Sequence, residues 1–181
     1  MQYNGSVRLS DGRICTLRHP VGSDAQEILH HLILTSGETE NMLRYPDEFT
    51  MTAEEERAYL DEVAARPDAI LISAIVDGRI VACAGFNPVS KFEKCRHRAE
   101  FGISVQREFW GLGIGSCLTA AVLSAARQAG CTQLELDVVA ENRRAIGLYE
   151  KFGFRICGTN DRAFLSRSGA YQPLHLMVRP L

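Results

Sequence analysis

Three glycines at alternate positions form the segment with the clearest potential for ligand chemistry. Gly111, Gly113 and Gly115 lie in the run Trp110-Gly111-Leu112-Gly113-Ile114-Gly115-Ser116, between a predicted strand and a predicted helix. Glycine lets the backbone approach a ligand closely, and successive amides at the positive end of a helix dipole bind phosphate. The spacing matches neither the Walker pattern nor Gly-x-Gly-x-x-Gly. The run therefore predicts a diphosphate site, with a turn that only packs a helix on a sheet as the alternative.

A second block of polar and aromatic residues surrounds a predicted short helix. After a predicted strand at Leu134–Val138, it comprises Asn142, Ala145, Tyr149 and Phe152-Gly153-Phe154. Asn142 stands where the helix begins, so its side chain can cap the first turn. Helical spacing alone would make Tyr149 an aromatic that fills the core beside Ile146.

Together, the two blocks closely resemble the GNAT acetyltransferases. Motif A of that family is a strand, a Gly-x-Gly loop and a helix, and it matches residues 99–129. Motif B is a strand, an Asn before a helix, a Tyr and Phe-Gly-Phe, and it matches residues 134–154. The surrounding elements fit the other strands of the family, so the resemblance covers nearly the whole chain. It implies an α/β GNAT fold, with a central mixed, mostly antiparallel sheet of about seven strands flanked by helices.

The resemblance also implies where acetyl-CoA binds. The sheet is expected to split between its fourth and fifth strands, Ala99–Val105 and Leu134–Val138, with the pantetheine arm in the gap. Strand contacts to the arm are implied for Ile103, Ser104 and Val105. Diphosphate contacts are implied for the amides of Gly111, Leu112, Gly113, Ile114, Gly115 and Ser116. The implied cofactor site is completed by Asn142, Ala145 and Tyr149.

One residue departs from the family pattern. The family loop usually begins with Gln or Arg, and Trp110 stands at this position. The loop amides do not depend on that side chain, so diphosphate binding is still expected. A basic side chain that often assists is missing, and Arg107 is a candidate to replace it.

The implied reaction is acetyl transfer from acetyl-CoA to a primary amine by direct attack in a ternary complex. An amine with a pKa near 10.4 is only about 0.04% neutral at pH 7, so a base or a desolvating tunnel is needed. A strand amide near Ile103 is the implied donor to the carbonyl oxygen, and Tyr149 is the implied acid for the departing sulfur. Glu100, on the strand face opposite Phe101, is either a base acting through water or a solvated carboxylate.

Two other functions stay open. The acceptor could be a protein N-terminus or a lysine, which a wide groove would favour, or the chain could be a CoA-binding module without turnover. We expect the acceptor against the loop Ser36–Met51 and the segment Asn87–Arg98. Asp47 and Glu48 would suit a cationic amine, although they are also typical surface charges.

Periodicity predicts the elements that position these segments. Further strands are expected at Ile14–Arg18, Ile70–Val76, Arg79–Phe86 and Leu174–Val178, with a tight hairpin at Asp77-Gly78. Capping boxes at Ser23 and Thr52 predict helices that run to about Leu34 and Arg66. The motif A helix is expected at Ser116–Ala129, ended by Gly130, and the motif B helix at Arg143–Phe152.

Composition limits the class of protein. The 181 residues, 46% of them hydrophobic, suit a single domain over 1–181. A formal charge of -2 predicts no attraction to nucleic acid, and no segment is apolar enough to span a membrane. The chain is therefore expected in the cytoplasm, with acetyl-CoA and an amine, a small molecule or a peptide, as partners. A homodimer is plausible.

The cysteines and histidines predict no metal site. The six cysteines include no Cys-x-x-Cys pair, which argues against zinc and against a disulfide framework. The five histidines include the adjacent pair His30-His31, whose side chains would diverge on a helix. Surface imidazoles and buried thiols are the expected roles.

Overall fold

The computed structural model describes residues 2–181, which form one mixed sheet covered by helices. The strands are β1 (Asn4–Arg8), β2 (Ile14–Arg18), β3 (Ile70–Val76), β4 (Arg79–Pro88), β5 (Arg98–Val105), β6 (Gln133–Val139), β7 (Arg155–Leu165) and β8 (Tyr171–Pro180). The α-helices are α1 (Ala25–Glu38), α2 (Ala53–Ala65), α3 (Ile114–Gln128) and α4 (Arg143–Lys151). The strand order is β1-β2-β3-β4-β5-β6-β8-β7, and within residues 2–181 only β5 and β6 run parallel. The mixed, mostly antiparallel sheet is confirmed, with eight strands.

Local signals explain several boundaries. Asp77 and Gly78 both have positive φ, 52° and 79°, as a tight hairpin between right-twisted strands requires. At the start of α2, Thr52 Oγ1 accepts a hydrogen bond from the Glu55 amide at 3.2 Å. The Glu55 carboxylate accepts one from the Thr52 amide at 2.8 Å. The capping box predicted at Thr52 is therefore confirmed.

The capping box predicted at Ser23 is wrong. A 3-10 turn occupies Gly22–Asp24, and α1 begins only at Ala25. The Asp24 carboxylate accepts a hydrogen bond from the Val21 amide at 2.7 Å and pairs with Arg18 at 2.6 Å. The acidic side chain therefore organises the turn that precedes the helix.

Two strands carry no periodic signal in the sequence. β1 is a short edge strand, and β7 has exposed side chains over most of its length. β7 is held by its antiparallel pairing with β8, which the side-chain pattern does not encode. This is why the sheet has more strands than predicted.

The sheet splits between β5 and β6, as predicted for these residues. The two strands pair only where Arg98, Ala99 and Glu100 face Gln133, Leu134 and Glu135. At this closed end, Arg98 contacts the buried Glu135 carboxylate at 2.7 Å. Beyond Glu100, the β6 side of β5 has no strand partner in the described chain, and a gap opens there.

The two faces of the sheet have separate apolar cores. One core joins α1 and α2 to β4 through Ala25, Ile28, Leu60, Ile80 and Cys83. The larger core lies under α3 and α4, with Leu118, Val122 and Ile146 among its members. Among residues 2–181, no helix combines the length and apolar character needed to cross a bilayer.

Candidate active site

The gap between β5 and β6 continues into a cleft of about 1120 Å³ that reaches the glycine loop. Residues of β5, the glycine loop, the first turns of α4, and α1 with the segment that follows it line this cleft. The predicted site residues that line it are Glu100, Ile103, Ser104, Val105, Gly111, Gly113, Ile114, Gly115, Ser116, Asn142, Ala145 and Tyr149. The fold therefore brings together two sequence blocks that are distant along the chain.

Leu112 is the predicted site residue that does not line the cleft. Its side chain packs against the larger core, and its carbonyl accepts a hydrogen bond from the Ser10 amide at 3.3 Å. Leu112 thus anchors the glycine loop to the turn after β1.

The glycine loop presents free amides at the start of α3. The helix begins at Ile114, and its first backbone hydrogen bond runs from the Cys117 amide to the Gly113 carbonyl at 3.1 Å. The amides of Ile114, Gly115 and Ser116 therefore have no acceptor within the helix. Gly113 caps the helix with φ +95°, and a Cβ built there would meet no atom within 4 Å. This arrangement suits an anion that takes several backbone N–H donors.

Tyr149 occupies a core position that also borders the cleft. Its side chain is 7% exposed, and its ring lies edge-on to Phe101, with 6.0 Å between ring centroids. Phe154 packs on it at 5.9 Å. Within residues 2–181 the Tyr149 hydroxyl forms no hydrogen bond. Burial raises the pKa of the phenol, so the group keeps its proton at neutral pH.

Asn142 caps α4, as its position in the sequence predicts. Its Oδ1 accepts a hydrogen bond from the Ala145 amide at 3.2 Å, which orients the first turn toward the cleft. Its further role as a contact to the pantetheine arm stays a prediction.

Glu100 lies where the pairing of β5 with β6 ends. Its side chain is exposed and borders the cleft, and on the β4 side its register partner is Asn87. Both of the roles considered for Glu100, water-mediated base and solvated carboxylate, are compatible with this position.

A buried polar network behind β5 went unrecognised in the sequence. His31 on α1 is fully buried, with Nε2 2.8 Å from Ser104 Oγ and Nδ1 3.2 Å from Gln106 Nε2. Gln106 Nε2 also donates to the Ile80 carbonyl at 3.0 Å, and a carbonyl can only accept. His31 Nδ1 is therefore the acceptor, and Nε2–H donates to Ser104. The expectation of surface imidazoles is wrong for His31 and for the buried His19.

His31 should make stability depend on pH. Burial lowers its pKa from 6.5 to about 4, so between these values the unfolded chain binds a proton that the folded chain does not. The contribution of His31 to the free energy of unfolding is fully present above pH 6.5. It decreases by roughly 3 kcal/mol as the pH falls to 4. Urea unfolding from pH 7.5 to 4.5 should show a smaller decline in His31→Gln than in the wild type.

The control for this experiment is His30→Gln, because His30 is the exposed neighbour on the same helix. It should keep the wild-type dependence of the unfolding free energy on pH. Direct NMR titration of His31 in the wild type gives a second measurement, which does not require the variant to fold. A midpoint above pH 6 would contradict the assignment of a neutral, buried imidazole.

The wall opposite the glycine loop is the predicted acceptor side. From the α1–α2 connection, the cleft is lined by Thr39, Asn41, Met42 and Leu43, and Asn87 lies at the end of β4. The cleft lining does not include Asp47 or Glu48. Asp47 pairs with Arg167 at 2.7 Å, and Glu48 accepts a hydrogen bond from the Tyr45 amide at 2.7 Å. These two carboxylates have structural roles.

The α1–α2 connection is joined to the turn between β7 and β8. The Arg167 amide donates to the Tyr45 hydroxyl at 3.0 Å, and the Arg167 guanidinium lies 4.0 Å from the centre of the Tyr45 ring. Gln172 Nε2 donates to the Glu40 carbonyl at 3.3 Å. The contacts link segments that are far apart in sequence, so no local pattern could have revealed them. Together they hold the α1–α2 connection, part of which lines the cleft, against the β7–β8 turn.

The chain is similar to known acetyltransferases in sequence and in fold. Residues 35–154 match the Acetyltransferase (GNAT) family. L-amino acid N-acetyltransferase AaaT from Escherichia coli K12 is 30% identical over 120 residues, which cover 66% of this chain and 73% of that protein. A GNAT-family acetyltransferase from Streptococcus pneumoniae has a TM-score of 0.89 at 26% identity, over 92% of this chain and 99% of that one.

A further structure shares the fold at lower identity. It is yncA from Salmonella typhimurium, described as a putative acetyltransferase with its cofactor acetyl-CoA. Its TM-score is 0.82 at 18% identity, over 92% of this chain and 94% of that one.

The split sheet with a glycine loop beside it defines an acyltransferase fold, and the family match covers more than half of the chain. The chain belongs to the Acetyltransferase (GNAT) family. The prediction of an acetyl-CoA-dependent acyltransferase is confirmed at the level of this family.

Proposed function

We propose that this enzyme transfers the acetyl group of acetyl-CoA to a primary amine by direct attack in a ternary complex. One observation carries the proposal: the unpaired edge of β5 and the free amides at the start of α3 line the same cleft. A diphosphate on the loop amides and a pantetheine arm along β5 would bring the thioester toward Glu100. The Salmonella structure with acetyl-CoA supports the same cofactor for this fold.

The reaction makes three demands on the cleft. The amine nitrogen must form a bond to the carbonyl carbon and give up a proton to a base, the carbonyl oxygen must be stabilised, and the C–S bond must break so that CoA leaves as a thiolate. We expect a backbone amide of β5 near Ile103 to stabilise the carbonyl oxygen, because the β6 side of this strand has no strand partner in the described chain. We propose that the Tyr149 hydroxyl lies next to the sulfur.

We propose Tyr149 as a hydrogen-bond donor to the sulfur, with a phenol that keeps its proton. Burial raises its pKa, whereas an ordinary thiol titrates near 8.5. Complete proton transfer to a free thiolate would therefore be uphill. We expect the hydroxyl to donate a hydrogen bond to the sulfur as negative charge develops there, which lowers the barrier to C–S cleavage.

Glu100 is the proposed base, acting on the ammonium form of the acceptor through water. If so, Glu100→Gln should lower kcat/KM about tenfold and remove the acidic limb of its pH profile. Glu141→Gln is the matched control, because Glu141 is exposed and also lines the cleft, next to α4. An acidic limb that persists in Glu100→Gln would leave Glu100 as a solvated carboxylate.

The charges of the cleft indicate the class of amine. Its carboxylates are those of Glu38, Glu100, Asp137 and Glu141. Among residues 2–181, its cationic side chains are Arg143 and Arg144, both at the start of α4. An acceptor carboxylate near Thr39 or Asn87 would therefore meet no cation and would be repelled by Glu100. We propose a small cationic amine without a carboxylate beside the reacting nitrogen.

The bridge between Tyr45 and Arg167 supports a small acceptor over a protein. It joins the α1–α2 connection, whose residues 39 and 41–43 line the cleft, to the β7–β8 turn. An extended peptide would need an open groove there, whereas a small amine needs only an entrance.

Release of free thiol from acetyl-CoA with paired amines tests the proposal. We would compare 2-phenylethylamine with L-phenylalanine and cadaverine with L-lysine, because each pair differs by a carboxylate. The amine without the carboxylate should have a kcat/KM at least about tenfold higher. Faster turnover of the amino acids would contradict the charge argument, and faster turnover of a peptide would favour a protein acceptor. Binding of acetyl-CoA without thiol release across a wide panel would favour a non-catalytic module.

A further inference from the structure

Trp110 stands where the family loop usually supplies Gln or Arg, and its indole is fixed in place. Indole Nε1 donates a hydrogen bond to the Val105 carbonyl at 2.7 Å, which holds the ring at the end of β5. The residue lines the cleft at the entrance to the glycine loop. The ring is therefore an ordered aromatic surface beside the proposed phosphate site.

Two guanidinium groups lie over this ring. Arg144 Cζ is 4.8 Å from the ring centroid and Arg107 Cζ is 5.6 Å from it, both within the range of cation–π contact. Arg107 is already engaged, because its guanidinium donates to the Glu38 carbonyl and its amide donates to Glu38 Oε2 at 2.8 Å. Arg107, the candidate replacement at the sequence level, is thus committed to joining α1 to the loop.

Arg144 is the arginine that stays available. It lies in the first turn of α4, its side chain is exposed, and it lines the cleft together with Trp110. Within residues 2–181 it forms no ion pair and no side-chain hydrogen bond, and its described contact is the Trp110 ring. Because this contact leaves the N–H groups of the guanidinium without a hydrogen-bond acceptor among the described residues, they are free to bind an oxyanion.

We infer that Arg144, held against the Trp110 ring, supplies the cationic contact to a phosphate group of CoA that position 110 itself does not provide. This inference rests on the proposed function. A guanidinium is always charged and presents a planar fork of donors that matches phosphate oxygens. The ring restricts its conformations before the ligand arrives, so less entropy is lost on binding. The neighbouring Arg143 also lines the cleft, but no aromatic ring among the described residues supports it.

Calorimetric titration with CoA tests whether the positive charge of Arg144 contributes to binding. Arg144→Gln should weaken Kd about 10- to 30-fold, and Arg144→Lys should recover only part of the loss, because an ammonium lacks the planar fork. Arg143→Gln should have a smaller effect than Arg144→Gln. Arg155→Gln is the charge-matched control, since Arg155 is exposed at the start of β7 and is not among the lining residues, and its Kd should stay within about twofold.

Ligand fragments show which group Arg144 meets. An equal loss of affinity for CoA and dephospho-CoA would assign the contact to the diphosphate. A loss confined to CoA would assign it to the 3′-phosphate. Acetyl-pantetheine carries no phosphate, so its kcat/KM as a donor should be unchanged in Arg144→Gln. An equal loss with acetyl-pantetheine would overturn the inference.

A double-mutant cycle tests the role of the ring. Trp110→Leu should weaken CoA binding about fivefold, and the pair Trp110→Leu with Arg144→Gln should bind no worse than Arg144→Gln alone. Additive losses would overturn the positioning role of Trp110.

As Trp110 is the only tryptophan of the chain, its fluorescence should change as CoA binds. Wild-type enzyme that binds no CoA would refute the proposed function, whereas binding that Arg144→Gln leaves unchanged would refute only this inference.

Discussion

Tyr149→Phe is expected to lower kcat about 100- to 1000-fold while acetyl-CoA binds with nearly unchanged affinity. Phenylalanine keeps the ring that packs against Phe101 and Phe154, so the core should be preserved. The hydroxyl is lost, and with it the donor that would stabilise the departing sulfur. Steady-state kinetics at saturating acetyl-CoA, with Kd from calorimetry, separates loss of chemistry from loss of binding.

Tyr59→Phe provides the matched control for this experiment. Tyr59 is a partly exposed tyrosine on α2 that also lines the cleft, on the acceptor side. Its kcat should change by less than about threefold, because its hydroxyl is not assigned to the sulfur. A Tyr149→Phe enzyme with wild-type turnover would exclude Tyr149 as the donor.

Gly113→Ala is expected to weaken acetyl-CoA binding about 30- to 100-fold, because it disturbs amide contacts to the diphosphate. Gly113 has φ +95°, which an L side chain rarely adopts, so the backbone conformation that presents the amides would be strained. Gly113 lines the cleft, and a Cβ built there would meet no atom within 4 Å, so the substitution adds no clash within the protein. Calorimetric titration with acetyl-CoA measures the loss directly.

The other end of the same helix gives the control for backbone strain. Gly130 follows α3 with φ +80°, and a Cβ there would also meet no atom within 4 Å. Gly113→Ala and Gly130→Ala should each lose about 1 kcal/mol of unfolding free energy. Only the change at Gly113 should weaken the binding of acetyl-CoA. Equal affinities in the two variants would contradict a phosphate site at the glycine loop.

The parts of the fold that the sequence predicts are those with local physical signatures. The Asp77-Gly78 hairpin needs positive φ at both residues, and the Thr52 cap uses residues within a single turn. β7 has no such signature, because its mostly exposed side chains carry no alternation and its pairing comes from β8. The failed cap at Ser23 has a related cause, since the pairing of Asp24 with Arg18 is a contact between separate elements.

The candidate site also has a part that the sequence predicts and a part that only the fold reveals. Motif spacing identifies the glycine loop, Asn142 and Tyr149, and the fold brings all of them to one cleft. The buried contact between His31 and Ser104 joins α1 to β5, so neither residue signals it locally. The placement of Arg144 over Trp110 likewise depends on how α4 meets the glycine loop. Contacts between distant segments therefore set the electrostatics of the site, whereas its backbone frame is encoded locally.

A crystal structure of the enzyme with acetyl-CoA tests the central claim most directly. We expect diphosphate oxygens within hydrogen-bond distance of the amides of residues 113–116, and the thioester in the gap between β5 and β6. The Tyr149 hydroxyl should face the sulfur. A complex with acetyl-CoA bound outside this cleft, or with its diphosphate away from the loop amides, would contradict the assignment of this cleft as the acetyl-CoA site.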